Sequence, residues 1–151
     1  MRTSIFIACS LLVLASCKKE KAGEEDSDGF SDIPAIEVVS VNKTTIKEFQ
    51  DSVVIVISYK DRNGDLGRQD PDDNSLYIKD RRLPDADYYH IPPITPADVN
   101  LKTRGTIRIV YPNLFLLGNG SNETTQLYVK IKDQAGNWSN ELEVGPFTVT
   151  K

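Results

Sequence analysis

Apolar residues recur at short, mostly two-residue intervals in six stretches of the chain after residue 35. This period predicts β-strands, in which successive side chains point to opposite faces. The positions are Ile36, Val38 and Val41; Val53, Ile55, Ile57 and Tyr59; Leu76 and Ile78; Ile107, Ile109 and Tyr111; Leu127, Val129 and Ile131; and Val144, Phe147 and Val149. No stretch of a dozen residues has helical periodicity.

Turn-forming residues separate these stretches, at Asn63-Gly64, Gly118-Asn119-Gly120 and Ala135-Gly136-Asn137. Short strands with one apolar face favour an all-β fold, a single antiparallel β-sandwich of about seven strands. Pro146 predicts an edge position or a bulge in the last strand. The proline-rich segment Arg81 to Arg104 is expected to be a long connection with little ladder hydrogen bonding.

The first residues have the pattern of a bacterial lipoprotein signal. Arg2 precedes an apolar run, Ile5 to Leu14, which leads into the lipobox Leu14-Ala15-Ser16-Cys17. The run is too short for a transmembrane helix, which needs about 20 apolar residues. We expect cleavage before Cys17 and lipid attachment at its thiol; the alternative is an ordinary signal peptide that leaves Cys17 free.

Cleavage would also remove Cys9, so the mature chain would have no cysteine except the lipidated one. A disulfide framework, a cysteine zinc site and a thiolate nucleophile are therefore excluded. Removing Arg2 with the signal leaves 17 basic residues against 22 acidic residues, a net charge of about −5. This acidic balance argues against nucleic acid as a partner.

Residues 18–32 are polar, charged and nearly free of apolar side chains, and we expect them to form a disordered tether. The predicted organisation is a signal peptide over residues 1–16, a lipidated tether over 17–34 and one β-sandwich domain over 35–151.

Oxygen-bearing side chains cluster after the predicted strand that ends near Tyr59. Asp61, Asn63 and Asp65 alternate around glycines, Asp70 follows, and Asp133 ends another strand. Calcium takes about six to eight oxygen ligands, often from alternate positions of such a loop. These five residues are the candidate calcium ligands, with Asp133 included if the two strands are neighbours.

The spacing departs from an EF-hand, which needs glycine at the position of Leu66 and glutamate at that of Asp72. A solvated turn is the alternative to calcium, because Asp, Asn and Gly favour turns by local hydrogen bonding.

Enzyme chemistry has little support, and we expect a non-catalytic protein. His90 is the only histidine, and no nucleophile motif accompanies it. Clustered aspartates in one turn poorly match a glycosidase, whose two carboxyls flank the substrate from different elements. Trp138 with Tyr88, Tyr89 and Tyr111 could form an aromatic platform for a glycan or peptide, although such residues more often pack in the core.

Several motifs occur in a characteristic order: the lipobox, Asn63-Gly64-Asp65-Leu66-Gly67, Ile91-Pro92-Pro93-Ile94-Thr95-Pro96, and the run from Ile131 to Asn140. Together they resemble small Bacteroidota lipoproteins with an Ig-like β-sandwich. The resemblance implies an Ig-like domain and an envelope protein, and it implies no particular reaction. Asn63 stands where such loops often have aspartate, which would lower the charge of a metal site.

These observations predict an outer-membrane protein that is held to the membrane by its lipid. Its role is expected to be binding or structural, with an envelope protein or a glycan as partner. The alternative is a carbohydrate-binding accessory of a glycan uptake system. The periplasmic and surface faces stay undecided, because Lys18-Lys19-Glu20-Lys21 is mainly basic where a surface-export signal is acidic.

Overall fold

The computed structural model describes residues 26–96 and 100–151. Within them the secondary structure is β-strand with connecting turns, and no helix is long and apolar enough to cross a membrane. The strands are β1 Ala35–Val41, β2 Thr45–Lys47, β3 Val53–Asp61, β4 Leu76–Asp80, β5 Asp87–Tyr89, β6 Thr103–Tyr111, β7 Asn122–Ile131 and β8 Leu142–Thr150. The predicted signal peptide and Cys17 lie outside the described residues.

The strands form two sheets, one with the order β1-β3-β6 and one with the order β2-β8-β7-β4-β5. All pairs are antiparallel except β2 with β8, which is parallel. The predicted all-β sandwich is confirmed, with eight strands in the described part of the chain where about seven were expected. β2 and β5 correspond to none of the six alternating stretches, because they have three residues each and are too short to show an alternating pattern.

The core lies between the sheets and is built from the inward residues of the alternating strands. Along β3, every second residue from Val53 to Asp61 is buried. Along β7 the buried residues include Leu127, Val129 and Ile131, which are fully shielded from solvent. Hydrophobic alternation therefore sets which face of each strand packs inward.

Two predictions about irregular segments can be compared with the sheets. Pro146 lies in β8 at a shift in the β7–β8 register, so the predicted bulge is confirmed. β2 pairs only with Thr148, Val149 and Thr150 of β8, so Pro146 has no strand partner on that side. The connection Arg81 to Arg104 contains β5, which pairs with β4 over three residues, so its ladder hydrogen bonding is limited, as expected.

Part of the predicted tether contacts the domain. Phe30 is only 9% exposed, and the Phe30 and Ser31 carbonyls accept hydrogen bonds from Arg62 at 2.8 and 3.1 Å. Asp26 forms an ion pair with Lys102 at 2.6 Å. The chain from Asp26 onward is thus packed against the sandwich, nine residues before β1.

Candidate functional site: a buried carboxyl cluster

Asp61 is the last residue of β3 and lies in phase with the apolar residues of that strand. Because Val53, Ile55, Ile57 and Tyr59 all point inward, the same alternation points the Asp61 carboxyl inward, where it is 0% exposed. A strand that places a carboxyl in the core needs a compensating partner, since an unpaired buried charge is costly.

The loop after β3 folds back over this carboxyl. The Asp65 backbone N–H donates to Asp61 Oδ2 at 3.0 Å. Gly64 permits the turn, because it has a φ of 69° and a Cβ there would lie 2.4 Å from the Leu101 carbonyl oxygen. The loop therefore brings the Asp65 side chain next to Asp61.

Asp133 joins the cluster through a loop contact between the sheets. It follows β7, which lies in the sheet that does not contain β3. The two strands are therefore not neighbours, which was the condition for counting Asp133 among the ligands. Instead, Leu66 forms an antiparallel bridge with Asp133, and the Gln134 N–H donates to the Asp65 carbonyl at 3.0 Å. Asp133 itself is 0% exposed.

The Asp133 carboxylate already has a local role. Its two oxygens accept hydrogen bonds from the Asn137 backbone N–H at 2.7 Å and from the Asn137 side-chain amide at 2.9 Å. These bonds close the turn of residues 133–137. Asn137 was not among the predicted site residues, although an Asp-to-Asn spacing around glycine is a recognisable turn signal.

The electrostatics of the cluster are unfavourable for ionised carboxylates. The pKa of Asp61 is raised to about 6, chiefly by burial, with the Asp65 and Asp133 charges acting in the same direction and backbone hydrogen bonds from Asp65 and Gly64 acting against it. Burial and the Asp133 charge also raise the pKa of Asp65. Within the described part of the chain, Asp61 Oδ1 and Asp65 Oδ1 are buried and accept no hydrogen bond.

Asn63 and Asp70, the other two candidate ligands, are placed differently. Asn63 is half-buried, and its carbonyl accepts a hydrogen bond from the Leu101 N–H at 3.2 Å. Asp70 is exposed, and its Oδ1 accepts the Asp72 N–H at 3.0 Å. Asp70 therefore caps a surface turn, as the turn alternative describes, and its side chain is engaged there.

The arrangement can take up positive charge at two buried oxygens. Over residues 26–96 and 100–151, no group of three or more His, Cys, Asp or Glu side chains is placed to hold a metal ion. Asp61, Asp65 and Asp133 thus influence one another without converging on one point. A proton shared by Asp61 and Asp65, or a cation drawn to them, would relieve their repulsion.

The candidate aromatic residues do not form a flat platform. Tyr77 contacts Trp138 with ring centroids 6.2 Å apart at 72°, and Tyr88 at 5.6 Å and 74°. Lys130 lies over the rings of both Tyr77 and Trp138. Tyr111 is buried in the core. Trp138 lines an open groove of about 1150 Å³, but its ring faces lysine side chains.

His90 and Tyr89 have structural contacts. His90 Nε2 lies 2.7 Å from the Arg68 carbonyl oxygen, and the Tyr89 hydroxyl accepts a hydrogen bond from the Asn113 amide at 3.1 Å. The first contact joins two connecting segments, and the second joins the end of β5 to the segment that follows β6.

Comparison of the chain with protein-family models, with curated proteins and with solved structures finds no match.

Proposed function

We propose that this chain is a lipid-anchored cell-envelope protein whose Ig-like sandwich is a non-catalytic binding or structural module with a calcium-stabilised loop. The observation that carries the calcium part is Asp61, a fully buried carboxyl with one unpartnered oxygen beside Asp65. The anchoring part depends on the lipobox that ends at Cys17.

Calcium suits the cluster because it is a hard cation that takes carboxylate, carbonyl and water oxygens in flexible geometry. Asp61 and Asp65 each supply one buried carboxyl oxygen that has no hydrogen-bond partner in the described chain. Asp133 would contribute mainly by charge, since both of its oxygens already accept hydrogen bonds from Asn137. Bound calcium would cross-link the loops that follow β3 and β7.

A calcium titration followed by thermal unfolding tests this site. The chain carrying Cys17→Ser is melted at pH 7.5 with chelator or with millimolar calcium. Calcium a hundredfold above its dissociation constant would stabilise the folded state by about 2.7 kcal/mol, which raises the melting temperature by several degrees. Asp61→Asn should abolish this rise.

Two matched variants make the titration specific. Asp85→Asn removes one exposed carboxylate outside the cluster and should leave the calcium response unchanged. Asp70→Asn should also leave it unchanged, because Asp70 caps an exposed turn. Loss of the response in Asp70→Asn would place the metal in the turn, and no calcium response in the parent chain would exclude the site.

The anchor is tested separately by expression in a bacterium fed a labelled fatty acid. The parent chain should carry the label, and Cys17→Ser should lose it while keeping its fold. An unlabelled parent chain would mean that residues 1–16 act as an ordinary signal peptide.

The glycan-uptake alternative stays a prediction without a supporting observation. A sugar-binding platform stacks a ring face on the ligand, but Tyr77 and Trp138 meet edge to face and lysines lie over them. We therefore favour a protein partner for the binding role.

A further inference from the structure

In the described part of the chain, the two sheets have four edge strands, β1, β6, β2 and β5, and three of these are short or have their edge interrupted. Both β2 and β5 have only three residues. The β1 edge has a register shift between Val38 and Ser40, and the Asn140 side chain bonds both the Ile36 N–H and its carbonyl. Short strands, bulges and capped backbone groups all hinder the addition of another strand.

The fourth edge, β6, is long and regular. It pairs residue by residue with β3 over nine positions without a register shift, from Thr103 with Asp61 to Tyr111 with Val53. Within the described residues, β3 is its sole hydrogen-bonded neighbour. The other side of β6 therefore presents unpaired backbone donors and acceptors, which form a template for an extended peptide.

The outward face of this edge is cationic. Arg104 and Arg108 are exposed on β6, and Lys60 of β3 lies directly opposite Arg104. These three side chains have no ion pair with any described residue. Like charges directly opposite each other repel, so an acidic side chain placed between them would be favourable.

The inward face of the same edge is open and apolar. Ile107 is only half-buried, whereas Ile109 and Tyr111 further along β6 are buried. Gly105 carries no side chain, and the Tyr59 ring lies against it, since a Cβ there would be 2.8 Å from the Tyr59 hydroxyl. A strand beside β6 would cover Ile107 with its own inward residue.

We propose that the β6 edge binds an extended segment of a partner protein by strand addition, with acidic and apolar residues alternating along that segment. Acidic residues would lie on the outer face near Arg104 and Arg108, and apolar residues would lie beside Ile107. The arginines would favour such a partner over a second copy of this chain, whose own arginines would be brought into the shared face. The proposal goes beyond the anchored, calcium-stabilised module, since it needs neither the lipid nor the metal.

Binding is tested with the Cys17→Ser chain and a fluorescent ten-residue peptide of alternating Glu and Val, measured by anisotropy. We expect saturable binding, at least tenfold weaker binding of an isomer with all Glu residues before all Val residues, and no binding of a Lys-Val peptide. Arg104→Gln with Arg108→Gln should weaken binding at least tenfold. The matched control, Lys47→Gln with Lys151→Gln, removes two exposed charges elsewhere and should have no effect.

Peptides methylated on alternate backbone nitrogens separate strand addition from simple charge attraction. A strand beside β6 uses the N–H groups of one of its edges, so methylation of one alternate set should abolish binding and methylation of the other should be tolerated. Equal binding of both methylated peptides, or no binding of the parent peptide, would overturn the proposal. Self-association of the chain in competition with the peptide would also overturn it, by showing that a second copy occupies the edge.

Discussion

Asp61 and Asp80 are two buried aspartates with the same local pattern and opposite electrostatics. Each is the last residue of an alternating strand and lies in phase with its buried apolar residues. Burial raises the pKa of Asp61 to about 6, with the Asp65 and Asp133 charges acting in the same direction. Burial also opposes ionisation of Asp80, but hydrogen bonds from Arg82 and Thr125 lower its pKa below the ordinary value.

The difference comes from whether an arginine that follows closely in the sequence turns back to the carboxyl. Arg82 folds back on Asp80, with its Nη2 at 2.6 Å from Asp80 Oδ2, and also binds Glu123 at 2.7 Å. Arg62, directly after Asp61, binds the N-terminal segment through Asp32 at 3.3 Å and the Phe30 carbonyl at 2.8 Å. One carboxyl is therefore neutralised within the fold, while the other is left beside further carboxyls.

The largest loss of folding stability is expected when the positive charge that pairs with Asp80 is removed. Arg82→Gln leaves a carboxylate that is 1% exposed without its cation, and breaking a buried pair in this way costs about 3–5 kcal/mol. Urea unfolding at pH 7.5 measures the loss. Arg81→Gln is the control, because Arg81 is exposed and binds Gln126, and it should cost less than about 1 kcal/mol. Equal losses in the two variants would mean that the Asp80 cluster contributes no special stability.

A smaller change in the free energy of unfolding is expected for Asp61→Asn, and it should be stabilising where that of Arg82→Gln is destabilising. Its pKa of about 6 in the folded protein lies above the value of about 3.9 for an unfolded chain. The folded state therefore binds more protons between these values, and the Asp61 contribution to stability falls as pH rises from about 4 through 6. In chelator, Asp61→Asn should be more stable than the parent chain at pH 7.5, by roughly 3 kcal/mol.

The advantage of Asp61→Asn should become small by about pH 4, where the parent carboxyl is protonated in the folded state and about half protonated in the unfolded state. Unfolding free energies of both chains in urea, measured from pH 4 to 8 with chelator, give the comparison. A constant difference across this range would show that Asp61 does not titrate with a raised pKa. An Asp80→Asn variant supplies the contrast, because its loss of stability should be largest at neutral pH.

Most of the fold could be predicted from the alternation of apolar residues, because one buried face per strand leaves a period of two in the sequence. The strands β2 and β5 could not, because three residues are too few to show a period. The burial of Asp61 could have been predicted, since Asp61 continues the alternation that points Ile55, Ile57 and Tyr59 into the core. Its nearness to Asp133 was not, because the strands that precede the two residues lie in different sheets.

The candidate calcium ligands also divide into those that local spacing could identify and those whose role depends on the tertiary structure. Asp61 and Asp65 are four residues apart, so one loop brings them together, and local spacing was sufficient to select them. Asp70 belongs to the same acidic stretch, but its carboxylate caps a surface turn. Composition groups these residues by type, whereas the hydrogen bonds decide which oxygens stay unpartnered.

By itself, the sequence determined that this chain forms a two-sheet β-sandwich, because periodicity and turn residues act over a few neighbouring positions. Only the tertiary structure decided which buried aspartate has a cation, that loops from opposite sheets meet at Leu66 and Asp133, and that β6 is the long open edge. Each of these depends on residues brought together across the fold, and electrostatic energy depends on distance in space, which separation along the chain does not reveal.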